Sequence, residues 1–417
     1  MKYKLNRIIT MNNKLANIRC KIIICALVIL IISLYLAVNI NKSDSVYNVD
    51  NNVSMNSTII DTSRYWNSIH LYEKFIVSLE NNKYGYEYNE GYPLYLGTIA
   101  SMYLELYRKY RTDYYRNKLE RVLRYIIQVK NADWTWNMSS FAGTNSLYNS
   151  FFGKIFLDVY RETNNKIYLD YAEKTIKSLD KFYVKQRLVT KTNNGEYETY
   201  NPNFFAFTTI AYYCDLTSEC PENLYNMAVN LFKHSLRGYH GSSGLWDYDS
   251  LSNTKYRKYL KKLPHQLFYN SHDAFYSMIL LSSFLENKKS IKKIFPDLYD
   301  IFYSEIPKIS NGVKKYMLTD IATFNYDSEA PRCVECCADT ALAFYLIDKE
   351  FGTNNNPIIS NALAVIIKNQ DNSGVYYKSD GENGVLLWYS DNIADKLPRL
   401  LNEMETSRCS RCHDNRP

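Results

Sequence analysis

The sequence predicts an all-α fold. It reads as a closed (α/α)6 toroid of six helical hairpins with long aromatic rim loops, preceded by one transmembrane helix. Three observations carry this. From about residue 63, apolar residues recur at helical spacing, as in Leu96, Ile99, Ala100, Tyr103, Leu104 and Tyr107. These stretches come in pairs whose first members recur every 52 to 69 residues. A basic tail followed by an apolar run opens the chain.

The 417 residues are 46% apolar and include 40 tyrosines, which excludes a disordered chain. With 14 glycines and 10 prolines, a collagen-like or low-complexity architecture is excluded too.

Residues 1–21 hold six basic residues and no acid, and read as a cytosolic tail. Residues 22–38 are apolar except for Ser33, and the segment 22–40 is long enough to span a bilayer. It outruns a cleavable signal sequence, and no A-x-A site follows it. The positive-inside rule then makes it a signal-anchor with the remainder luminal. Residues 41–62, rich in Asn and Ser, read as a stem. Sequons at Asn41, Asn52, Asn56 and Asn137 all fall on the luminal side.

The net charge of +7 arises entirely within residues 1–42; residues 43–417 carry 43 basic and 43 acidic residues. Nucleic acid is therefore not an expected partner. Cys214 and Cys220 bracket a short loop that a disulfide would close in an oxidising lumen. Cys333, Cys336 and Cys337 cluster, and Cys409 and Cys412 lie in a tail at 405–417. The 72 residues between Cys336 and Cys409 do not match zinc-ribbon spacing. The Cys409-to-His413 pattern resembles a haem attachment site but lacks its context. No metal and no cofactor are expected.

The toroid occupies 63–404. Residues 92–110 pair with 113–130, 144–163 with 166–183, and 203–217 with 221–237. Residues 264–286 pair with 289–306, and 333–351 with 357–369. The last helix, 386–404, pairs with the first, 63–80. An open helical solenoid is the alternative; closure is expected because these end helices otherwise leave apolar faces without a partner.

In such a ring the inner-helix starts and the long loops share one rim, and the search for chemistry centres there. Trp134, Trp136, Tyr148, Trp246 and Trp388 are candidate stacking surfaces for sugar rings, and Asp249 a hydroxyl partner. The basic run at 255–262 offers Arg257 and Lys258 as a clamp for acidic groups. An acidic polysaccharide is the expected partner, with the membrane engaged through one helix and a homodimer left open.

Residues 144–286 resemble the C-terminal domain of the D-glucuronyl C5-epimerases. Four pieces carry the resemblance in order. They are Ser146 to Gly153 with Ser178 to Phe182; Glu196 to Phe205 leading into Ala211 to Leu216; Gly241 to Asp249; and Tyr269 to His272. In that family β-rich domains precede the toroid, whereas a stem does so here. The resemblance implies a type II membrane enzyme of the Golgi or endoplasmic reticulum. It would epimerise carbon 5 of hexuronic acids in a heparan-like chain. Carried over by position, the catalytic set is Glu198, Tyr200, Tyr248, Tyr269 and His272, with Glu196 and Tyr197 as a shifted alternative.

Chemistry gives those residues a purpose. The carbon 5 hydrogen of a uronate is weakly acidic, and its removal needs an acid/base group on each ring face. If the glycosidic oxygen leaves instead, the reaction is that of a lyase. A hydrolase needs two carboxylates, for which Asp247, Asp249, Asp273 and Glu335 are candidates. A lectin would keep only the aromatics.

Overall fold

The computed structural model describes residues 60–81, 85–86, 93–139, 143–192, 195–197, 199–247, 266–317, 334–376 and 387–414. The expected membrane segment at 22–40 lies outside them. Among the described residues no helix is long and apolar enough to cross a membrane.

Twelve helices are described. They are α1 Ser63–Ser78, α2 Leu94–Tyr110, α3 Asp113–Gln128, α4 Ser146–Thr163, α5 Lys166–Lys177 and α6 Tyr200–Thr217. The others are α7 Glu222–Ser235, α8 Gln266–Ile294, α9 Pro296–Tyr316, α10 Glu335–Phe351, α11 Asn356–Lys368 and α12 Leu387–Asp414. The even-numbered helices pack side by side from α2 round to α12, and α12 returns to α2. Each odd-numbered helix backs one of them, with α1 backing α12. The ring is closed.

Burial explains which helices lie inside. An inner helix is covered on both sides: α6 buries 13 of its 18 residues. The outer helix α3 buries only Leu119, Val122, Leu123 and Ile126, one stripe at i, i+3, i+4, i+7. Hairpins turn tightly because several inner helices end on a left-handed residue: Arg111, Asn164, Ser218 and Gly352. Asn145 and Asn165 then cap α4 and α5 by accepting from Leu147 N and Ile167 N.

Closure rests on contacts between the two ends of the chain. Trp66 Nε1 and Thr62 Oγ1 both donate to Glu405 Oε1, at 3.0 and 2.9 Å. Ser68 meets Gln370 Oε1 at 2.6 Å and the Tyr376 hydroxyl at 2.7 Å. Between them these fasten α1 to the last hairpin and to α12. That last helix does not stop near 404, as the sequence suggested, but runs on to Asp414. Its extra turns carry Glu405, the residue that Trp66 and Thr62 meet.

On the rim, a four-stranded antiparallel sheet runs in the order Asn137–Ser139, Gly143–Thr144, Thr190–Thr192, Gly195–Tyr197. It ties the loop before α4 to the loop before α6. Cys214 and Cys220 form the disulfide their spacing suggested, between α6 and α7. Cys336 is also disulfide-bonded.

Candidate active site

Each inner helix turns one stripe toward the ring's axis. On α4 the stripe is Leu147, Ser150, Phe151 and Lys154; on α6 it is Asn201, Phe205 and Thr208. Helical spacing puts each set on one face. On α8 the stripe continues through Tyr276, Ile279 and Ser283 to Glu286. Together they enclose a cavity of about 170 Å3 in the ring's centre. Its upper wall is aromatic and hydroxylic, and its floor is charged.

The floor is made by Asp339 of α10, Asp395, Lys396 and Arg399 of α12, Glu286 of α8 and Lys154 of α4. Lys396 Nζ lies 3.1 Å from Asp395 Oδ2, and Arg399 Nη2 lies 3.4 Å from Asp395 Oδ1. Ser101 also donates to Asp395. Arg399 Nη1 lies 2.9 Å from Glu286 Oε1, and Lys154 Nζ 3.9 Å from Glu286 Oε2. Burying these charges is tolerable only because they are paired.

Asp339 differs from its neighbours. It is 2% exposed, and among the described residues it has neither a hydrogen bond nor an ion pair. Burial, against the pull of Lys396 and with a further push from Asp395 and Glu286, raises its carboxyl to about 7. For Asp395, burial opposes ionisation, but Lys396 and Arg399 outweigh it and hold the carboxyl down at about 2. Glu286 is likewise held below the ordinary carboxylate range: Arg399, Lys396 and Lys154 outweigh its burial. One cavity therefore holds a carboxyl poised to give or take a proton at neutral pH, beside carboxylates that stay ionised. Pairs of this kind divide acid and base roles.

The rim residues that the sequence singled out fare differently. Trp136 is fully buried, its Nε1 donating to Ile126 O at 3.0 Å and its ring 4.7 Å from Phe152. Trp246 is 1% exposed, its Nε1 donating to Ser235 O at 3.0 Å and its ring stacked 5.5 Å from Phe302. Both are core anchors with no open face for a sugar, and this corrects the expectation. Tyr148 is buried against Phe152. Tyr200 is buried against His234 of α7, facing away from the axis. Its neighbour Asn201, about 100° further round α6, reaches the cavity instead. Trp134 lies outside the ring, where its indole meets Tyr171 of α5 and the amines of Lys130 and Lys174.

Tyr269 and His272 sit in the first turns of α8, and Trp388 in that of α12; their side chains lie outside the described residues. Glu335 opens α10 in the same position. Glu198, Tyr248, Asp249, Arg257 and Lys258 also lie outside them. Among the described residues, no group of His, Cys, Asp and Glu is arranged to hold a metal ion.

With this geometry in view, solved structures provide a comparison. A cellobiose 2-epimerase from Bacillus thermoamylovorans superposes with a TM-score of 0.60 at 13% identity, covering 82% of this chain and 98% of its own. A family 76 α-mannanase from Bacteroides thetaiotaomicron gives 0.60 at 11% identity, covering 82% and 97%. A D-mannose isomerase gives 0.57 at 9% identity, covering 84% and 100%. The toroid fold is thereby shared along nearly the whole length of those proteins. No protein-family model matches the chain, nor does any curated protein.

Proposed function

We propose that this protein is a carbohydrate-active enzyme and that its chemistry takes place in the central cavity. The observation that carries the reading is Asp339, a buried carboxyl without a partner that faces the cavity beside ionised Asp395. The arrangement suits glycoside hydrolysis. Protonated Asp339 gives its proton to the glycosidic oxygen as the C–O bond breaks. The Asp395 carboxylate takes a proton from the attacking water, whose oxygen bonds to the anomeric carbon. Phe205 and Tyr276 supply an aromatic wall for the ring's C–H face, and Asn201 and Ser283 supply polar groups for its hydroxyls. That the fold is shared with sugar epimerases, a sugar isomerase and a mannanase supports a saccharide substrate.

A second reading is uronate C5 epimerisation on a heparan-like polysaccharide. The resemblance over 144–286 favours it, as do Lys396 and Arg399 on the cavity floor, where a substrate carboxylate would need cations. With it go an acidic polysaccharide partner and a type II anchor in the Golgi or endoplasmic reticulum.

One incubation in deuterated water separates these readings. Purified protein is mixed with a panel of neutral and uronic-acid oligosaccharides. New reducing ends mean hydrolysis. Deuterium at carbon 5 without shortening means epimerisation, and an unsaturated ultraviolet-absorbing end means a lyase. The Asp339→Asn variant is expected to lose activity by about 100-fold or more. Binding without any of these products, or full activity in that variant, would remove the proposal.

A further inference from the structure

The ring has a second mouth, at the C-terminal ends of the inner helices. There a cavity of about 670 Å3 opens, and it shares Lys154, Glu286 and Arg399 with the central cavity. Those three side chains form a charged floor between two back-to-back chambers. Nothing in the chemistry proposed for Asp339 uses the second chamber.

Its charges are layered. The carboxylates lie deep: Glu105 is 2% and Asp158 5% exposed at the side chain. Arg108, Lys154, Arg161, Arg399 and Tyr212 already saturate them. The exposed layer is mostly cationic. Arg111 and Arg161 are 58% and 53% exposed, and Lys349 47%. Lys289 is exposed and makes no ion pair with a described residue. Glu162, Asp215 and Glu403 are the acids near this layer, and each is already paired: Glu162 with Arg108 and Arg111, Asp215 with Lys293, and Glu403 with Lys349.

Basic residues at helix C-termini often only offset the macrodipole. Two facts go beyond that. Arg111, Arg161, Lys289 and Lys349 come from four different inner hairpins yet line one cavity. Lys288 and Lys289 also lie inside α8, whose end is Ile294. Crowding is felt there even though Lys288 pairs with Glu350: burial depresses the Lys288 amine, and Lys349 and Lys289 depress it further against the pull of Glu403. A convergent positive layer above a neutralised floor is a receptor for an anion. Arginine forks match a tetrahedral oxyanion, and lysines add point charge. Leu216, Leu342 and Leu346 provide an apolar wall for whatever carries the oxyanion.

We propose that this second mouth binds a tetrahedral oxyanion, either free or as an ester on a small sugar. It would be a site separate from the central cavity.

Calorimetric titration of the purified full chain at fixed ionic strength tests this, with inorganic phosphate, glucose 6-phosphate, glucose 6-sulfate and glucose as probes. Saturable binding of one or more of the three anions, with glucose silent, is the expected result. Phosphate binding as tightly as the esters would identify the free ion as ligand; tighter esters would identify the sugar-borne group. A double variant, Arg161→Gln with Lys289→Gln, should weaken binding at least tenfold with an unchanged melting temperature, since both side chains are exposed and Asp158 keeps Lys154 and Arg399 as partners. Excess neutral oligosaccharide should leave the affinity unaltered. Absence of saturable binding by all three anions, unchanged affinity in the double variant, or displacement by neutral oligosaccharide would each overturn the proposal.

Discussion

Arg399 of α12 reaches Glu286 of α8 at 2.9 Å, across a ring in which α10 stands between those two helices. The same guanidinium reaches Ser101 of α2 at 3.2 Å and Asp158 of α4 at 3.9 Å. One side chain thereby joins four of the six inner helices. Replacing it with methionine keeps much of its volume but leaves Glu286 ionised and half-stranded in the interior. Breaking one side of a buried pair typically costs about 3–5 kcal/mol. Urea denaturation of Arg399→Met at pH 7 should show a loss of that size. A loss no larger than that of an exposed ion pair would mean that the hub does not hold the ring.

Asp339 gives stability a pH dependence whose sign can be worked out. Its native carboxyl sits at about 7, above the ordinary 3.8. Between those values the unfolded chain has released its proton and the native state still holds it. Stability therefore falls as pH rises from about 4 to 7 and levels off above that. Asp395, held down at about 2, acts oppositely: its contribution is complete above the ordinary carboxyl value and lost as pH falls toward 2. Asp339→Asn removes the first effect and leaves the second. Denaturation midpoints at pH 4.5 and 7.5 should show the variant gaining on the parent at the higher pH, by a few kcal/mol at most. An equal offset at both pH values would show that Asp339 ionises normally.

How far the sequence could be read depended on which force set each feature. Inner helices expected at 92, 144, 203, 264, 333 and 386 begin at Leu94, Ser146, Tyr200, Gln266, Glu335 and Leu387. Apolar periodicity fixes such starts, because burial is a local pattern read by a single helix. The site is different. Trp136 and Trp246 stood out in loops, yet the loops fold back and use them to fill the core. Asp339 and Asp395 read by default as solvent-facing, because a charge in a helix usually means an exposed face. The signal was there: Asp339 is flanked by Cys336, Cys337, Ala338, Ala341 and Leu342, all fully buried. A lone acid within so apolar a run has no solvent to face, and so must face either a partner or a cavity. Which of the two it meets depends on α8 and α12, more than a helical hairpin away along the chain, and no local pattern records that.

If the two tryptophans are core anchors, removing their polar handles should cost stability and not substrate affinity. Trp136→Phe deletes the donor to Ile126 O, and Trp246→Phe the donor to Ser235 O. Each buried carbonyl left unsatisfied costs about 1–3 kcal/mol. The expected outcome is a lowered melting temperature in both variants with KM for the active oligosaccharide unchanged. A rise in KM with stability preserved would return these rings to the binding surface.

The closure of the ring can be probed at a single turn. Gly374 has φ +100, and a Cβ there would lie 2.2 Å from the carbonyl oxygen of Leu71 in α1. Gly352 also has a positive φ, +64, but a Cβ there meets nothing within 4 Å. Both alanine variants carry the left-handed penalty, about 1–2 kcal/mol. Only Gly374→Ala adds a collision with rigid backbone, at the joint where Gln370 and Tyr376 hold Ser68. Gly352→Ala should therefore cost roughly the strain alone, whereas Gly374→Ala should cost at least twice as much and raise amide hydrogen exchange along α1. Equal costs, with α1 as protected as in the parent, would mean that the first and last hairpins do not depend on this contact to close the toroid.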